Sequence, residues 1–178
     1  MERNNMEEKD YPIVLIDTTT GHIKVELWEH RAPITVKNFL RYVEESFYDG
    51  TIFHRVIDNF MIQGGGLTPD MRQKQSGLYA SIKNEADTGL CNEIGTIAMA
   101  RTQEINSATS QFFINVNDNK FLDHQNDTPK GFGYAVFGRV IEGMDDVVMK
   151  ISKIKTCTIG PFSDVPAKPV MINSIKLL

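Results

Sequence analysis

Arg55 and Gln63 stand within the stretch FHRVIDNFMIQGGG, residues 53–66, whose apolar residues otherwise indicate two short strands. An arginine side chain is a permanent cation with five N–H donors, and a glutamine amide adds two donors and an acceptor. The two side chains share a face of the strand pair only if the connecting loop holds an odd number of residues, such as 57–59, or carries a bulge. That arrangement would place a fixed cation and an amide beside apolar groups.

The stretch QFFINV, residues 111–116, could extend the same surface. Strand alternation predicts a core face formed by Phe112, Ile114 and Val116. It also predicts an outward, mostly polar face formed by Gln111, Phe113 and Asn115. We therefore predict a shallow apolar groove on the outer wall of the fold, lined by Arg55, Met61, Gln63, Gln111 and Phe113. The spacing leaves open an alternative in which Arg55 is a surface residue whose stem lies on apolar neighbours.

The residue pattern gives little support to a metal site, a cofactor site or a phosphate-binding site. The histidines show no metal-ligand spacing, and we expect neither a metal nor a cofactor. His54 is interpreted as a hydrogen-bonded core or wall residue. The glycine run 64–66 is not followed by Lys-Ser/Thr, so it indicates a sharp turn out of a strand rather than a phosphate site. What remains is a binding module, or an enzyme whose reaction needs no acid–base pair, nucleophile or metal.

The elements that must position these residues are mostly short strands. Two apolar runs predict a hairpin over 13–27, and further strands are predicted at 51–57, 60–64, 95–101, 111–116, 134–140 and 170–178. A helix begins at Pro33 and keeps a 3.6-residue apolar period to Phe47, before Asp49-Gly50 ends it. A second short helix is predicted around Met144, Val147, Val148 and Ile151. Residues 65–93 are interpreted as loop with a short strand near 81–83.

This pattern lacks the strand–helix alternation of a parallel sheet. We predict a mainly β fold, an antiparallel barrel that is closed so that no edges remain and is capped by two α-helices. The chain has 178 residues, 41% of them hydrophobic, which suits one domain with a single core. We assign residues 12–178 to that domain and the polar residues 1–11 to a flexible tail.

The net charge indicates which partners the protein binds, and the cysteine content indicates the cellular compartment. The net charge of −4 argues against binding to nucleic acid or to an anionic membrane. The first residues show no signal-like apolar segment, and Cys91 and Cys157 are too few and too far apart for a disulfide scaffold. We therefore expect a cytoplasmic protein with free thiols, and nothing in the sequence demands more than a monomer.

The motifs FHRVIDNFMIQGGG, IAMAR, SATSQFFINV, FLD and GYAVFGRVIEGMD resemble the cyclophilin family of peptidyl-prolyl cis–trans isomerases in order and spacing. The resemblance covers residues 12–178. The segment IKNEA at 82–86 and the ending FSDVPAKPVMINSIKL are most similar to the compact bacterial cytosolic cyclophilins. The resemblance implies an eight-stranded antiparallel barrel with two capping helices. It also implies an enzyme that accelerates X–Pro bond rotation in peptides and folding proteins.

Applied to this sequence, the resemblance implies that Arg55 is the catalytic residue. It implies a proline pocket formed by Phe60, Met61, Phe113 and Leu122. Polar contacts to the peptide backbone would come from Gln63, Gln111 and the main chain of Arg101, with Ala100 beside it. Phe121 and Tyr134 complete the implied substrate-binding set.

Three of these positions differ from the best-known eukaryotic pattern. Arg101 stands where asparagine is common, Phe121 where tryptophan is usual, and Tyr134 where histidine is usual. Bacterial relatives carry these changes, which are compatible with isomerase activity. Cyclosporin A is an expected ligand with weakened affinity, because phenylalanine cannot supply the indole N–H donor. The other expected partners are proline-containing peptides and unfolded or folding proteins.

Two other functions stay open on the sequence. A cyclophilin-like chaperone or scaffold would bind Pro-containing segments without accelerating their exchange. The set of Arg55, Gln63 and Phe113 favours the enzyme, because a pure binder needs no donor at the prolyl nitrogen. A barrel that carries a small apolar ligand is the third interpretation. Bulky inward residues such as Phe112 and Ile114 argue against it, since side chains usually fill small barrels.

Overall fold

The structure, a computed structural model, describes residues 10–178. The strands of this part of the chain are β1 (Ile13–Thr18), β2 (Gly21–Leu27), β3 (Arg55–Ile57), β4 (Met61–Gly64), β5 (Thr96–Met99), β6 (Phe112–Asn115), β7 (Val136–Glu142), β8 (Thr156–Ile159), β9 (Phe162–Pro166) and β10 (Ile172–Leu177). The α-helices are α1 (Pro33–Glu44) and α2 (Met149–Ser152). The tail expected at 1–11 lies outside the described residues except for Asp10 and Tyr11, whose ring lies 5.9 Å from that of His30.

Eight antiparallel strands form one sheet in the order β10-β1-β2-β7-β5-β6-β4-β3. They correspond to the eight longer strands expected from sequence, and the mainly β prediction is confirmed. The two edge strands, β3 and β10, do not pair with each other. The segments beside them are joined by an isolated bridge between Ile52 and Met171 and by a bond from the Phe53 N–H to the Val170 carbonyl, 3.0 Å. Continuous pairing around a closed barrel is therefore not confirmed.

One local prediction was wrong, and one hairpin was not predicted. The short strand expected near 81–83 is absent, and Ile82 makes only a single main-chain bond there, from its N–H to the Ala108 carbonyl. The hairpin of β8 and β9 was not predicted, and β9 contacts β3 next to the candidate site. Strand β8 is largely exposed, so it lacks the apolar alternation that marks a half-buried strand.

Helix α1 begins at Pro33 as predicted but ends at Glu44, before Phe47. Ser46 adopts a left-handed backbone conformation with φ of 54°, which turns the chain out of the helix. The first turn has no side-chain cap of its own. Instead the carboxylate of Glu85 accepts hydrogen bonds from the main-chain N–H of Thr35, 2.6 Å, and from its hydroxyl, 2.7 Å. A distant loop therefore supplies the acceptor that the helix N-terminus needs.

The second helical segment begins with a π-helical turn at Met144–Val148, which continues into α2. Val147, Val148 and Ile151 are buried there, as the apolar spacing predicted. Among residues 10–178, no helix combines the length and apolar character needed to cross a membrane.

Two apolar clusters lie on opposite faces of the sheet. The main core contains the predicted inward set Phe112, Ile114 and Val116, packed against aromatic residues of α1 and β7 such as Phe39 and Phe137. The interior is filled by side chains, so the structure does not support the interpretation of the fold as a barrel that carries a small apolar ligand. A second cluster comprises Met61, Ala98, Phe113, Leu122 and Val136. It covers the other face of β4, β5, β6 and β7, where the predicted groove residues lie.

Candidate active site

A row of side chains crosses four neighbouring strands on the face of the sheet away from the main core. Arg55 of β3 lies opposite Gln63 of β4. Gln63 lies opposite Phe113 of β6, and Phe113 lies opposite Ala98 of β5. Directly paired residues project to the same face of a sheet. The loop between β3 and β4 holds three residues, 58–60, which confirms the odd-loop register on which the grouping of Arg55 with Gln63 depended.

This row borders a hollow of about 210 Å³. Nine of the predicted site residues line it: Arg55, Phe60, Met61, Gln63, Ala100, Arg101, Phe113, Leu122 and Tyr134. Apolar side chains of the second cluster form its floor and walls. The hollow therefore combines an apolar lining with the side-chain amide of Gln63 and with two arginines, Arg55 and Arg101, in its lining.

The Arg55 side chain is half-buried at this edge. Among residues 10–178, no carboxylate lies within ion-pair distance of its guanidinium. A cation that is partly withdrawn from water and not neutralised interacts strongly with a polar group that enters the hollow. Arg55 therefore offers the hollow a partly buried positive charge that no carboxylate of the described residues neutralises.

His54, the neighbour of Arg55, lies on the other side of β3 and is 6% exposed. Burial, with a smaller contribution from the charge of Arg55, lowers the pKa of His54 from 6.5 to about 4. The imidazole is therefore neutral near pH 7. Its burial agrees with the core interpretation, but no residue of 10–178 bonds to its Nδ1, so the hydrogen bond expected for a buried histidine is missing at that atom.

Gln111 lies beside the hollow rather than in it, in an adjoining depression of about 260 Å³ that Gln63 and Arg101 also line. Gln63 donates from Nε2 to the Gln111 Oε1, 3.0 Å. The bond uses the Gln111 oxygen, so the Gln111 NH2 is the group left to donate to a ligand. A Cβ at Gly66 would lie 2.4 Å from the Gln111 Cγ, which explains the glycine there.

The glycine run leaves β4 as a turn, as predicted. Gly65 has φ of +85°, a conformation that side chains rarely adopt. Phe121 is the other predicted residue outside the hollow. Its ring is 65% exposed and lies 5.6 Å from the ring of Phe60, so Phe121 forms a rim next to the pocket rather than a wall of it.

Phe113 corrects one prediction. It was expected on an outward face, yet it is only 4% exposed. The 3-10 turn at Lys120–Leu122 brings Leu122 over it, and the Tyr134 ring lies edge-on at 5.7 Å. The Tyr134 N–H donates to the Leu122 carbonyl, 2.9 Å, which joins these two walls. Strand alternation could not show this, because the cover comes from a segment later in the chain.

A chain of buried amides beneath the hollow was missed by the sequence analysis. Asn119 donates from Nδ2 to the Phe60 carbonyl, 2.9 Å, and to the Asn115 Oδ1, 2.8 Å. Asn115 in turn donates to the Asn92 Oδ1, 3.1 Å, and the Asn92 N–H donates to the Asp123 carboxylate, 2.6 Å. The one signal in the sequence was Asn115, which shares a strand face with Phe113.

Other surface features do not gather the predicted residues. A larger groove of about 690 Å³ runs along α1 between Glu29 and Glu44, but none of the predicted site residues lines it. Within residues 10–178, no group of three or more histidine, cysteine, aspartate or glutamate side chains could hold a metal ion.

Comparison with known proteins identifies the family. The family model for cyclophilin type peptidyl-prolyl cis-trans isomerases matches residues 13–177. The chain is 58% identical over 165 residues to peptidyl-prolyl cis-trans isomerase cyp18 of Streptomyces antibioticus, covering 93% of this chain and 98% of that protein. It is 52% identical over 163 residues to peptidyl-prolyl cis-trans isomerase B of Escherichia coli K12, covering 92% and 98%.

Solved structures show the same fold. A cyclophilin type peptidyl-prolyl cis-trans isomerase of Cryptosporidium parvum superposes with a TM-score of 0.74 at 26% identity, covering 94% of this chain and 98% of that one. A second structure of that protein, determined in the presence of the dipeptide Ala-Pro, gives a TM-score of 0.72 over 93% and 98%. The motifs, the family match and the bacterial relatives agree, and the chain belongs to the cyclophilin-type peptidyl-prolyl cis–trans isomerases.

Proposed function

We propose that isomerisation takes place at the hollow beside Arg55, with the proline ring held by Phe60, Met61, Phe113 and Leu122. The Arg55 guanidinium donates a hydrogen bond to the prolyl nitrogen while the bond is twisted. The observation that carries the proposal is the pairing of Arg55 with Gln63 at the edge of an apolar hollow of about 210 Å³.

The reaction explains why Arg55 needs no nucleophile or acid–base pair beside it. An X–Pro bond resists rotation because the nitrogen lone pair is shared with the carbonyl, which gives a barrier of about 18–20 kcal/mol. In the twisted transition state that lone pair returns to the nitrogen and can accept a hydrogen bond. A donor placed there stabilises the transition state more than the planar ground state, which is the requirement for a faster reaction. No covalent bond breaks, so neither a nucleophile nor an acid–base pair is required.

The energetics call for more than one contact. A thousandfold acceleration requires about 4 kcal/mol of differential stabilisation. One charge-assisted hydrogen bond contributes a net of roughly 1.5–3 kcal/mol. Immobilisation of the ring and the low dielectric of the apolar walls supply the rest, since both act on the same twisted geometry. Gln63, Gln111 and the main chain of Arg101 hold the neighbouring peptide groups.

The substrates that fit are proline-containing peptides and exposed X–Pro segments of unfolded or folding proteins. The structure of the Cryptosporidium relative that was determined in the presence of the dipeptide Ala-Pro supports substrates of this class. We further propose that the protein acts as a cytoplasmic monomer and binds cyclosporin A weakly, since the exposed rim carries Phe121.

The test is a protease-coupled assay on a chromogenic X–Pro peptide, with peptide binding measured in parallel. Arg55→Ala should reduce kcat/KM at least tenfold, and Arg55→Lys should also be poor, because a flexible point charge does not reproduce the planar guanidinium. Arg72→Ala is a matched control, since Arg72 is an exposed arginine paired with Asp70. Near-wild-type turnover by Arg55→Ala refutes the role of Arg55. Peptide binding without any acceleration by the wild type would identify a binding module instead.

A further inference from the structure

The Arg101 side chain joins two loops at the wall of the hollow. Its Nε donates to the Gly133 carbonyl, 3.0 Å, and its Nη2 donates to the Pro129 carbonyl, 2.9 Å. Its Nη1 donates to the Thr102 carbonyl, 3.0 Å, within its own loop. All three acceptors are main-chain oxygens, and two of them lie about thirty residues away in the chain. The guanidinium therefore fixes backbone positions rather than neutralising a carboxylate.

The same guanidinium lies against a pocket wall. Its Cζ is 4.8 Å from the centre of the Tyr134 ring, within the range of a cation–π contact. The Tyr134 ring also meets the Phe113 ring edge-on, with 5.7 Å between the ring centres. Arg101, Tyr134 and Phe113 thus form a continuous series of contacts along the lining of the hollow.

The main chain is tightly packed around Gly133, next to the Tyr134 wall of the hollow. A Cβ there would lie 2.7 Å from the main-chain atoms of Leu122, Asp123 and His124, and its φ of +83° also favours glycine. Its carbonyl accepts a second hydrogen bond, from the Asn84 Nδ2 at 3.1 Å. The segment is therefore held against 122–124 on one side and by Arg101 on the other. A small movement at Gly133 would move the Tyr134 ring directly.

We infer that Arg101 is a positioning residue of the isomerase: its guanidinium holds residues 129–134 in place, keeps the Tyr134 ring on Phe113 and so sets the width of the proline pocket. This inference rests on the proposed function of the hollow. It differs from a main-chain contact with the peptide, because it assigns the task to the side chain. Three carbonyl oxygens at different positions require the planar guanidinium with its several N–H donors. The single ammonium group of lysine cannot bond to all three.

The first test is a kinetic comparison of Arg101→Lys and Arg101→Ala. A looser wall weakens binding of the ground state and of the transition state alike, so KM should rise three- to tenfold while kcat stays within about twofold. Both variants should behave similarly, because the charge alone does not position the loop. A lysine variant with wild-type KM would overturn the inference, as would a variant whose loss lies only in kcat.

The second test separates positioning from general stability. Amide hydrogen exchange should accelerate at Tyr134, whose N–H bonds to the Leu122 carbonyl, while exchange at Ile114 in the centre of β6 stays unchanged. Equal acceleration at both amides would mean that the substitution weakens the whole fold, and it would overturn the assignment.

A double-mutant cycle tests the route through Tyr134. In a Tyr134→Ala background, Arg101→Lys should change KM by less than twofold, because the ring that it holds is gone. Full additivity would overturn the inference. The outcomes also separate it from the proposed catalytic role. A raised KM in Arg101→Lys, together with undiminished kcat in Arg55→Ala, would retain the positioning role and refute the role of Arg55. If neither variant changes either parameter, the hollow is not the site and both proposals fail.

Discussion

The side-chain amide of Asn119 donates a 2.9 Å hydrogen bond to the main-chain carbonyl of Phe60. Phe60 comes from the β3–β4 loop and Asn119 from the segment that leads into the turn at Lys120–Leu122. Both segments carry residues that line the hollow, so this bond fixes the distance between two of its walls.

Asn119→Ala should therefore affect both stability and substrate binding. The substitution leaves the Asn115 Oδ1 without its donor in a buried site, which should cost about 1–3 kcal/mol of the free energy of unfolding. KM should rise as Phe60 becomes less fixed. Urea unfolding and the isomerase assay measure the two effects. Asn117→Ala, at an exposed position two residues earlier, is the matched control and should change neither. Equal stability of the two variants would contradict the structural role of Asn119.

The pH dependence of stability should show the burial of His54. Its pKa is about 4 in the folded protein and 6.5 in the unfolded chain, so the unfolded state binds more protons between these values. The stabilisation is fully present above about pH 6.5 and is lost as the pH falls toward 4, by a total of about 3 kcal/mol. Urea unfolding at a series of pH values measures the slope. His54→Gln should flatten the curve in this window, and an unchanged slope would show that other groups cause it.

Glu85 should contribute to stability through the N-terminus of α1. Its carboxylate accepts two hydrogen bonds from Thr35, and both residues are buried. Glu85→Ala should lower the free energy of unfolding by about 2 kcal/mol, as the loss of a good cap does. Asp87→Ala, at an exposed site in the same loop, should stay within about 0.5 kcal/mol of the wild type. If the two variants unfold at the same urea concentration, the carboxylate does not act as a cap.

Cyclosporin A affinity should respond to Phe121. The ring lies at the rim against Phe60 and is largely exposed, so a larger side chain fits without repacking the core. Phe121→Trp restores an indole N–H donor and should tighten binding about tenfold, since one such bond is worth roughly 1 kcal/mol or more. Isothermal titration of both proteins checks this, with unchanged kcat/KM as the control. Unaltered affinity would show that the missing donor does not limit binding.

The sequence predicted the sheet and most of the hollow because its signals there are local. Alternation placed Phe112 and Ile114 in the core, and loop parity placed Arg55 with Gln63. The family resemblance then supplied Phe60, Leu122 and Tyr134, whose positions no periodicity could give.

The remaining features depend on contacts between distant segments. Residues 117–134 fold over the sheet and produce three of these features. They bury Phe113, they accept the hydrogen bonds of the Arg101 guanidinium, and they supply the amide that bonds to Phe60. These residues have no regular apolar period. Their position in the fold is set by hydrogen bonds that form only in the assembled structure. The β8–β9 hairpin was missed for a related reason, because three of the four β8 residues are exposed and the strand shows no apolar alternation.

The strand β10 pairs with β1, and the residues just before it bond to 50–53, which lead directly into Arg55. While residues 170–177 of a nascent chain are still inside the ribosome, β1 lacks its partner β10. Residues 50–53 then lack their bonds to residues 170–172. The segment that leads into Arg55 then lacks its bonds to residues 170–172 and keeps only those to residues earlier than 170, such as the pairing of Arg55 with Gln63. We therefore expect the Arg55 edge of the hollow to be completed only after residues 170–172 have joined the sheet.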